Sequence, residues 1–438
     1  MAETGSGQIG STALIRTIGR WSLTALVINS IIGSGIFGLP SVVSGRIGKM
    51  APIAYFVAGA GMAVIAGCLA EVASQFRETG GPYLYARETL GRFWGIQIAW
   101  MMWLSRIAAA SGTANLFTTY MGQVFPRATE PTYRLVILSA LVGVLAVVNY
   151  IGVKSGARAS DFFTALKLLL LATFIGAGLW WIAVHGAVTP APLTHSVESR
   201  DWLEAVLVLV YAYGGFEAVL LASGEMRDPR HDVPIALMIG IASVAVIYTL
   251  VQSVVSGTLI DPAATQRPLA DSAAAVLGSR AAAAIAIGAL LSIYGYLSAN
   301  MLHTPRLTFA LAERGDIPAI FARIHPRFRT PDVSIALYTV FLLAFTLAGN
   351  FRWNITLSAI VRLFTYGSIA IALLILRKRN PGADAFRLPG GPILAVLAIL
   401  FCVVLLVRAP LSNSTVVLAT AAAAALNWVL VRNRPTTV

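Results

Sequence analysis

Long apolar runs separated by short polar segments fill the sequence from residue 21 to residue 431. They fall at roughly 21–44, 53–76, 93–120, 134–152, 162–184, 202–224, 235–258, 281–305, 333–349, 356–376, 392–408 and 413–431. Most approach the roughly 20 residues that a helix needs to cross a bilayer, so the pattern predicts an all-α polytopic membrane protein of about twelve spans. The polar connections are too short for a soluble domain. Two runs are interrupted: 21–44 by Gly33-Ser34-Gly35, and 202–224 by Gly214-Gly215. Backbone groups freed at mid-depth are tolerated only against protein or a polar cavity. Each break is therefore either a binding site or a kink where glycines let another helix pack closely.

At the first break, the amides from Gly33, Ser34 and Gly35 into Ile36 would face the positive end of a helix dipole and suit a carboxylate. Carbonyls ending the first half, near Ile31 and Ile32, would suit a cation. Together they describe a receptor for a zwitterion. At the second break Tyr211, Ala212 and Tyr213 precede the glycines, Phe216 follows, and Glu217 comes next. The broken spans lie five apart. A five-span unit re-enters the membrane from the opposite side, the arithmetic of an inverted-repeat transporter. The pair of breaks thus favours the site over the kink. The expected division is a tail at 1–20, one five-helix unit at 21–184, an inverted unit at 202–376, and two further helices at 392–431.

Composition narrows the class. Of 438 residues 57% are hydrophobic and 12% charged, with mean hydropathy +0.77, which excludes a soluble globular chain. The net charge of +13 falls mostly in loops. The positive-inside rule then places both termini in the cytoplasm of a cell-membrane protein and removes the case for nucleic acid. Residues 1–20 have no apolar core, so no cleaved signal peptide is expected. G-x-G-x-x-G occurs at Gly33 and at Gly5, but neither lies in a βαβ unit, so no dinucleotide is implied. Cys68 and Cys402 lie in apolar runs and the five histidines are scattered. No metal site or cofactor is expected. An intramembrane enzyme would need paired catalytic groups at one depth, and none is apparent.

Charges inside the runs are candidates for function. Arg106 lies roughly 20 Å along its helix from Phe93, where an arginine costs from about 2.5 to well over 10 kcal/mol unless it faces the interior with a partner. Glu217 is the natural partner, whether Arg106 serves substrate, gating or structure. Lys167, about 8 Å inside its span, is either functional or a snorkelling side chain. Arg362 stands near the start of its apolar run, within reach of an interface or a partner. Gly59, Ala63 and Gly67 form a small-residue ridge that predicts close packing on the broken first helix. Residues 77–92, with Gly-Gly-Pro and two tyrosines, are either an ordinary loop or a structured inner gate.

The sequence resembles the amino acid/polyamine/organocation (APC) superfamily of permeases over nearly its whole length. The resemblance rests on Gly33-Ser34-Gly35-Ile36-Phe37 with Pro40, Gly80-Gly81-Pro82-Tyr83 with Tyr85, Gly215-Phe216-Glu217, Gly224-Glu225 with Asp228-Pro229 and Pro234, and Pro305-Arg306 with Gly315 and Pro318. It implies a leucine-transporter-type fold of two inverted five-helix repeats plus two helices, working by alternating access on amino acids or related amines. It also implies that the Gly33–Gly35 amides hold the substrate carboxylate and carbonyls near Ile32, Ala212 and Tyr213 its amino group. Tyr211 is then an aromatic lid, Glu217 a conformational or proton-linked carboxylate, and Lys167 the stand-in for a sodium ion. Arg106 falls where some members contact substrate, and an arginine there departs from them. Residues 121–133 lack the cysteine that links a partner subunit, so none is expected. A membrane ligand sensor on the same scaffold, or a polyamine carrier, is the competing expectation.

Overall fold

A computed structural model describes residues 19–76, 81–152, 157–193, 195–217, 219–220, 228–382 and 385–433, with backbone alone at 157–165 and 229. The described residues form α-helices with short 3-10 turns and no strand. The helices are α1 (Arg20–Ile31), α2 (Gly35–Ile47), α3 (Ala51–Ser74), α4 (Gly81–Leu90), α5 (Arg92–Met121), α6 (Pro131–Ile151), α7 (Ala157–His185) and α8 (Ser199–Tyr213). They continue with α9 (Pro229–Thr258), α10 (Pro268–Leu277), α11 (Ser279–Glu313), α12 (Asp332–Ala348), α13 (Phe351–Arg379), α14 (Gly391–Leu406) and α15 (Leu411–Val431). Among the described residues seven helical segments are long and apolar enough to cross a membrane. The protein is a multi-pass membrane protein.

Packing is inverted relative to a soluble domain. Leu169, Trp180, Val246 and Leu418 are each about two-thirds exposed, as a lipid-facing surface requires, while Ser111, Thr113, Thr304, Asn354 and Ser358 are fully buried. Those polar groups join helices: Ser105 and Ser358 share a hydroxyl bond at 3.1 Å, and Asn115 donates to the Thr346 carbonyl at 3.2 Å. Interhelical bonds of this kind help association where lipid offers no hydrophobic drive. Of those seven, the α2–α3 segment and α13 are the most deeply enclosed, and α6, α7 and α15 lie at the periphery.

The small-residue ridge of α3 packs elsewhere than expected. A Cβ on Gly59 would lie 2.9 Å from Ala245 of α9 and 3.0 Å from the Tyr213 hydroxyl of α8, and Gly67 faces Leu388. The close neighbours are thus α9 and α8 in place of the broken first helix, because α9 lies between α1 and α3 and packs against both.

Residues 77–80 lie outside the described set, but from Gly81 the segment is α4, which closes one end of the bundle. Asp316, just beyond α11, is buried and binds Arg87 at 2.7 Å and Arg92 at 2.9 Å, and it accepts from the Tyr83 hydroxyl. Burial, then the hydrogen bond to Asp316, pushes the Tyr83 phenol up to about 12, so it remains a donor. Asn427 of α15 ties to the Asp316 carbonyl at 2.7 Å. At the opposite end a cavity of about 700 Å³ opens among α2, α5, α6 and α13.

Candidate binding site at two broken helices

The first break is short. The Ile32 amide closes α1 on the Ile28 carbonyl at 3.0 Å, and the amides of Phe37 and Gly38 reach back to the Ser34 carbonyl at 3.1 and 3.3 Å. Gly35 and Ile36 begin α2 and have no carbonyl one turn earlier in their own helix to bond. Gly33 is only partly buried, and an added Cβ would meet no more than ordinary contacts, with Tyr296 Cδ2 at 3.8 Å and the Ile31 carbonyl at 3.9 Å. Gly35 differs, since its Cβ would lie 3.0 Å from the Ala212 Cα. Gly33 is therefore not tightly packed, whereas Gly35 lets two backbones approach.

The carbonyl end of α1 is held by side chains. Lys167 Nζ donates to the Ile32 carbonyl at 2.5 Å, to Asn29 Oδ1 at 2.8 Å and to the Asn29 carbonyl at 3.3 Å. It is only 8% exposed, and so it does not snorkel. A cation there complements the negative end of the helix dipole. The Tyr248 hydroxyl lies 3.0 Å from the Ile31 carbonyl and 3.2 Å from the Ala212 carbonyl, so its one hydrogen bridges the two broken helices.

The second break explains its own glycines. Gly215 has φ +119, and a Cβ there would strike the Ser30 carbonyl; one on Gly214 would strike the Arg362 guanidinium. α8 thus crosses α1 break against break. Tyr211 joins the contact, its hydroxyl 2.6 Å from Ser34 Oγ and 3.1 Å from Thr113 Oγ1, with Ser34 and Thr113 2.8 Å apart. Tyr213 points the other way and donates to the Tyr55 carbonyl at 2.7 Å. Phe216 stacks on Tyr366 with centroids 5.5 Å apart.

One expected pair is not formed. Glu217 is bound by Arg362 of α13 instead of Arg106. Its second oxygen accepts from the Gly215 amide at 2.9 Å and from the Tyr366 hydroxyl at 3.3 Å. Arg362 lies eleven residues into α13, roughly 16 Å at 1.5 Å per residue, because that helix starts at Phe351, several residues before the apolar run does. Depth, misjudged from the run alone, makes it the partner. Arg106 remains within electrostatic reach of Glu217, Tyr296, Tyr338 and Arg362, but among the described residues its guanidinium has no hydrogen bond or ion pair.

The structure therefore brings Ile32, Gly33, Ser34, Gly35, Ile36, Tyr211, Ala212, Gly215, Phe216, Lys167 and Glu217 together around the two breaks. Arg106 lies beside this group and Tyr213 behind it. Asn29, Thr113, Tyr248 and Tyr366 belong to the same assembly and were missed. Nothing distinguishes a tyrosine or threonine in an apolar run from ordinary packing until its neighbours are known. No group of three His, Cys, Asp or Glu side chains that could hold a metal occurs among the described residues.

Two helices broken against each other, inside an all-helical bundle with a lipid-facing exterior, are the architecture of a polytopic membrane permease. The chain belongs to the amino acid permease family, whose model matches residues 18–431. It is 32% identical to the serine/threonine exchanger SteT of Bacillus subtilis, the match covering 88% of this chain and 89% of that one. It is 27% identical to the branched-chain amino acid permease BcaP of the same species over 91% and 89%. It is also 28% identical to that species' methylthioribose transporter, over 91% and 90%. The protein is a transporter and not an enzyme.

Proposed function

We propose that the protein is a secondary transporter of amino acids working by alternating access, independent of sodium and running as a proton-coupled symporter or an exchanger. In this reading residues 21–184 and 202–376 are two inverted five-helix repeats, 392–431 adds two helices, and both termini are cytoplasmic. The observation that carries it is the crossing of the two breaks. Free amides at the start of α2 supply an anion site, and the partly exposed Gly33 lies beside the Ile31 carbonyl, which Tyr248 ties to the Ala212 carbonyl of the other broken helix. The Asp316 latch at one end and the cavity at the other fit a carrier closed on one side. Lys167 occupies the carbonyl end of α1 as a fixed cation, which supports sodium independence.

Radiolabelled uptake into proteoliposomes tests the reading against a ligand sensor. At least one α-amino acid is expected to accumulate well above empty liposomes. Methylthioribose belongs in the panel because one relative is named for it. Ligand-induced thermal stabilisation without any flux would make the protein a sensor.

A further inference from the structure

The groups around the two breaks carry an excess of positive charge. Among the described residues the ionisable side chains gathered there, tyrosines aside, are Lys167, Arg106, Arg362, His303 and Glu217, so three lysine or arginine side chains stand against one carboxylate. Glu217 is fully engaged by Arg362, the Gly215 amide and Tyr366. Lys167 is engaged by Asn29 and Ile32. Even with Lys167 counted as neutral, one arginine is left without an anion. That arginine is Arg106, which lies deep in the bundle yet is not fully buried, and whose carbonyl accepts from Asn300 at 3.5 Å. Tyr296 links Arg106 to the first break. Its ring lies 3.8 Å from where a Cβ on Gly33 would sit, its hydroxyl accepts from Asn300 at 3.2 Å, and it is within electrostatic reach of Arg106. A charge left unpaired in a low-dielectric interior is the costly state, and a ligand that supplies the missing anion removes the cost.

The cavity at the far end points the same way. Arg46, Arg134 and Arg352 line it, with no aspartate or glutamate among its lining residues. Arg46 is neutralised by Glu204, but among the described residues Arg134 binds the Asn115 side chain and the Gly349 carbonyl, both uncharged. The cavity reaches Gly38, one turn along α2 from Gly35. A cleft lined by one sign of charge concentrates solutes of the other.

We propose that the transported amino acid carries a negatively charged side chain, an acidic amino acid whose second carboxylate pairs with Arg106. This rests on the amino-acid-transport reading and adds the substrate class. The isosteric pairs glutamate with glutamine and aspartate with asparagine isolate the charge, and their uptake is measured in proteoliposomes of wild type, Arg106→Gln and Arg106→Lys. Wild type is expected to prefer the acid of each pair at least about tenfold, since a charge-assisted bond contributes on the order of 1.5–3 kcal/mol. Arg106→Lys should keep the preference and Arg106→Gln should erase it. Thermal unfolding confirms that each variant is folded, and if Arg106→Gln is not, competition of the acid and amide against wild-type uptake decides. Equal or better uptake of the amides by wild type overturns the inference while leaving amino-acid transport standing. Loss of acid and amide uptake in equal proportion in Arg106→Gln also overturns it, since Arg106 would then meet the α-carboxylate common to both. Failure of every α-amino acid to be transported refutes the underlying reading instead.

Discussion

Replacing Lys167 by alanine is expected to lower uptake by at least about tenfold, while replacing sodium by choline leaves wild-type uptake unchanged. The lysine satisfies three acceptors at the end of α1, the Ile32 carbonyl, Asn29 Oδ1 and the Asn29 carbonyl. Each buried acceptor left bare costs about 1–3 kcal/mol, and roughly 1.4 kcal/mol is already a factor of ten. Alanine also removes the fixed charge that in the proposed mechanism stands where a coupling cation would sit. The end of the broken helix would then bind nothing or recruit an ion from solution. Uptake by the alanine variant that becomes sodium-dependent would support that substitution of one cation for another. Wild-type-like uptake by Lys167→Ala over pH 5 to 8, or sodium dependence of the native protein, would remove Lys167 from the mechanism.

The second large effect is expected at the Glu217–Arg362 pair. Arg362→Met and Glu217→Gln should each abolish uptake, and Arg362→Met should destabilise the protein by about 3 kcal/mol, because it strands a carboxylate in a low-dielectric interior. The double variant should recover part of that stability. It removes both charges and leaves no unpaired ion, although it does not restore transport. The pair retains slight exposure, with side chains 9% and 14% accessible, so water already offsets part of the penalty and the upper end of the usual 3–5 kcal/mol range is not expected. Thermal unfolding of the two single variants and the double gives the coupling directly. Strict additivity would show that the two groups do not interact.

Much of this architecture was legible in the residues. The helix positions follow from where apolar runs begin and end, and α3, α5, α6, α12, α14 and α15 start and stop within a few residues of those runs. The breaks were legible because glycines interrupt the apolar runs there, and at Gly215, with φ +119 against the Ser30 carbonyl, only glycine tolerates the geometry. α4 and α10 are helices of ten residues, too short and too polar or too small in side chain to stand out from connecting segments. Partner choice was the least legible. Glu217 and Arg362 are 145 residues apart, and which arginine reaches the carboxylate depends on how α13 and α5 are turned against the second break. Tyr248 was invisible for a similar reason: its role is to lie between two carbonyls that belong to different broken helices.

The central claim is that free amides at the first break receive the carboxylate of an amino acid. Competition against radiolabelled uptake in sodium-free proteoliposomes, comparing the transported amino acid with its α-carboxamide, tests it most directly. The carboxamide keeps the amine, the side chain and the size, and loses only the anion that a helix N-terminus favours. The account predicts that the free acid competes and that the carboxamide competes at least about tenfold more weakly. Equal competition by the two would contradict it and make the protein a carrier of amines that ignores the carboxylate.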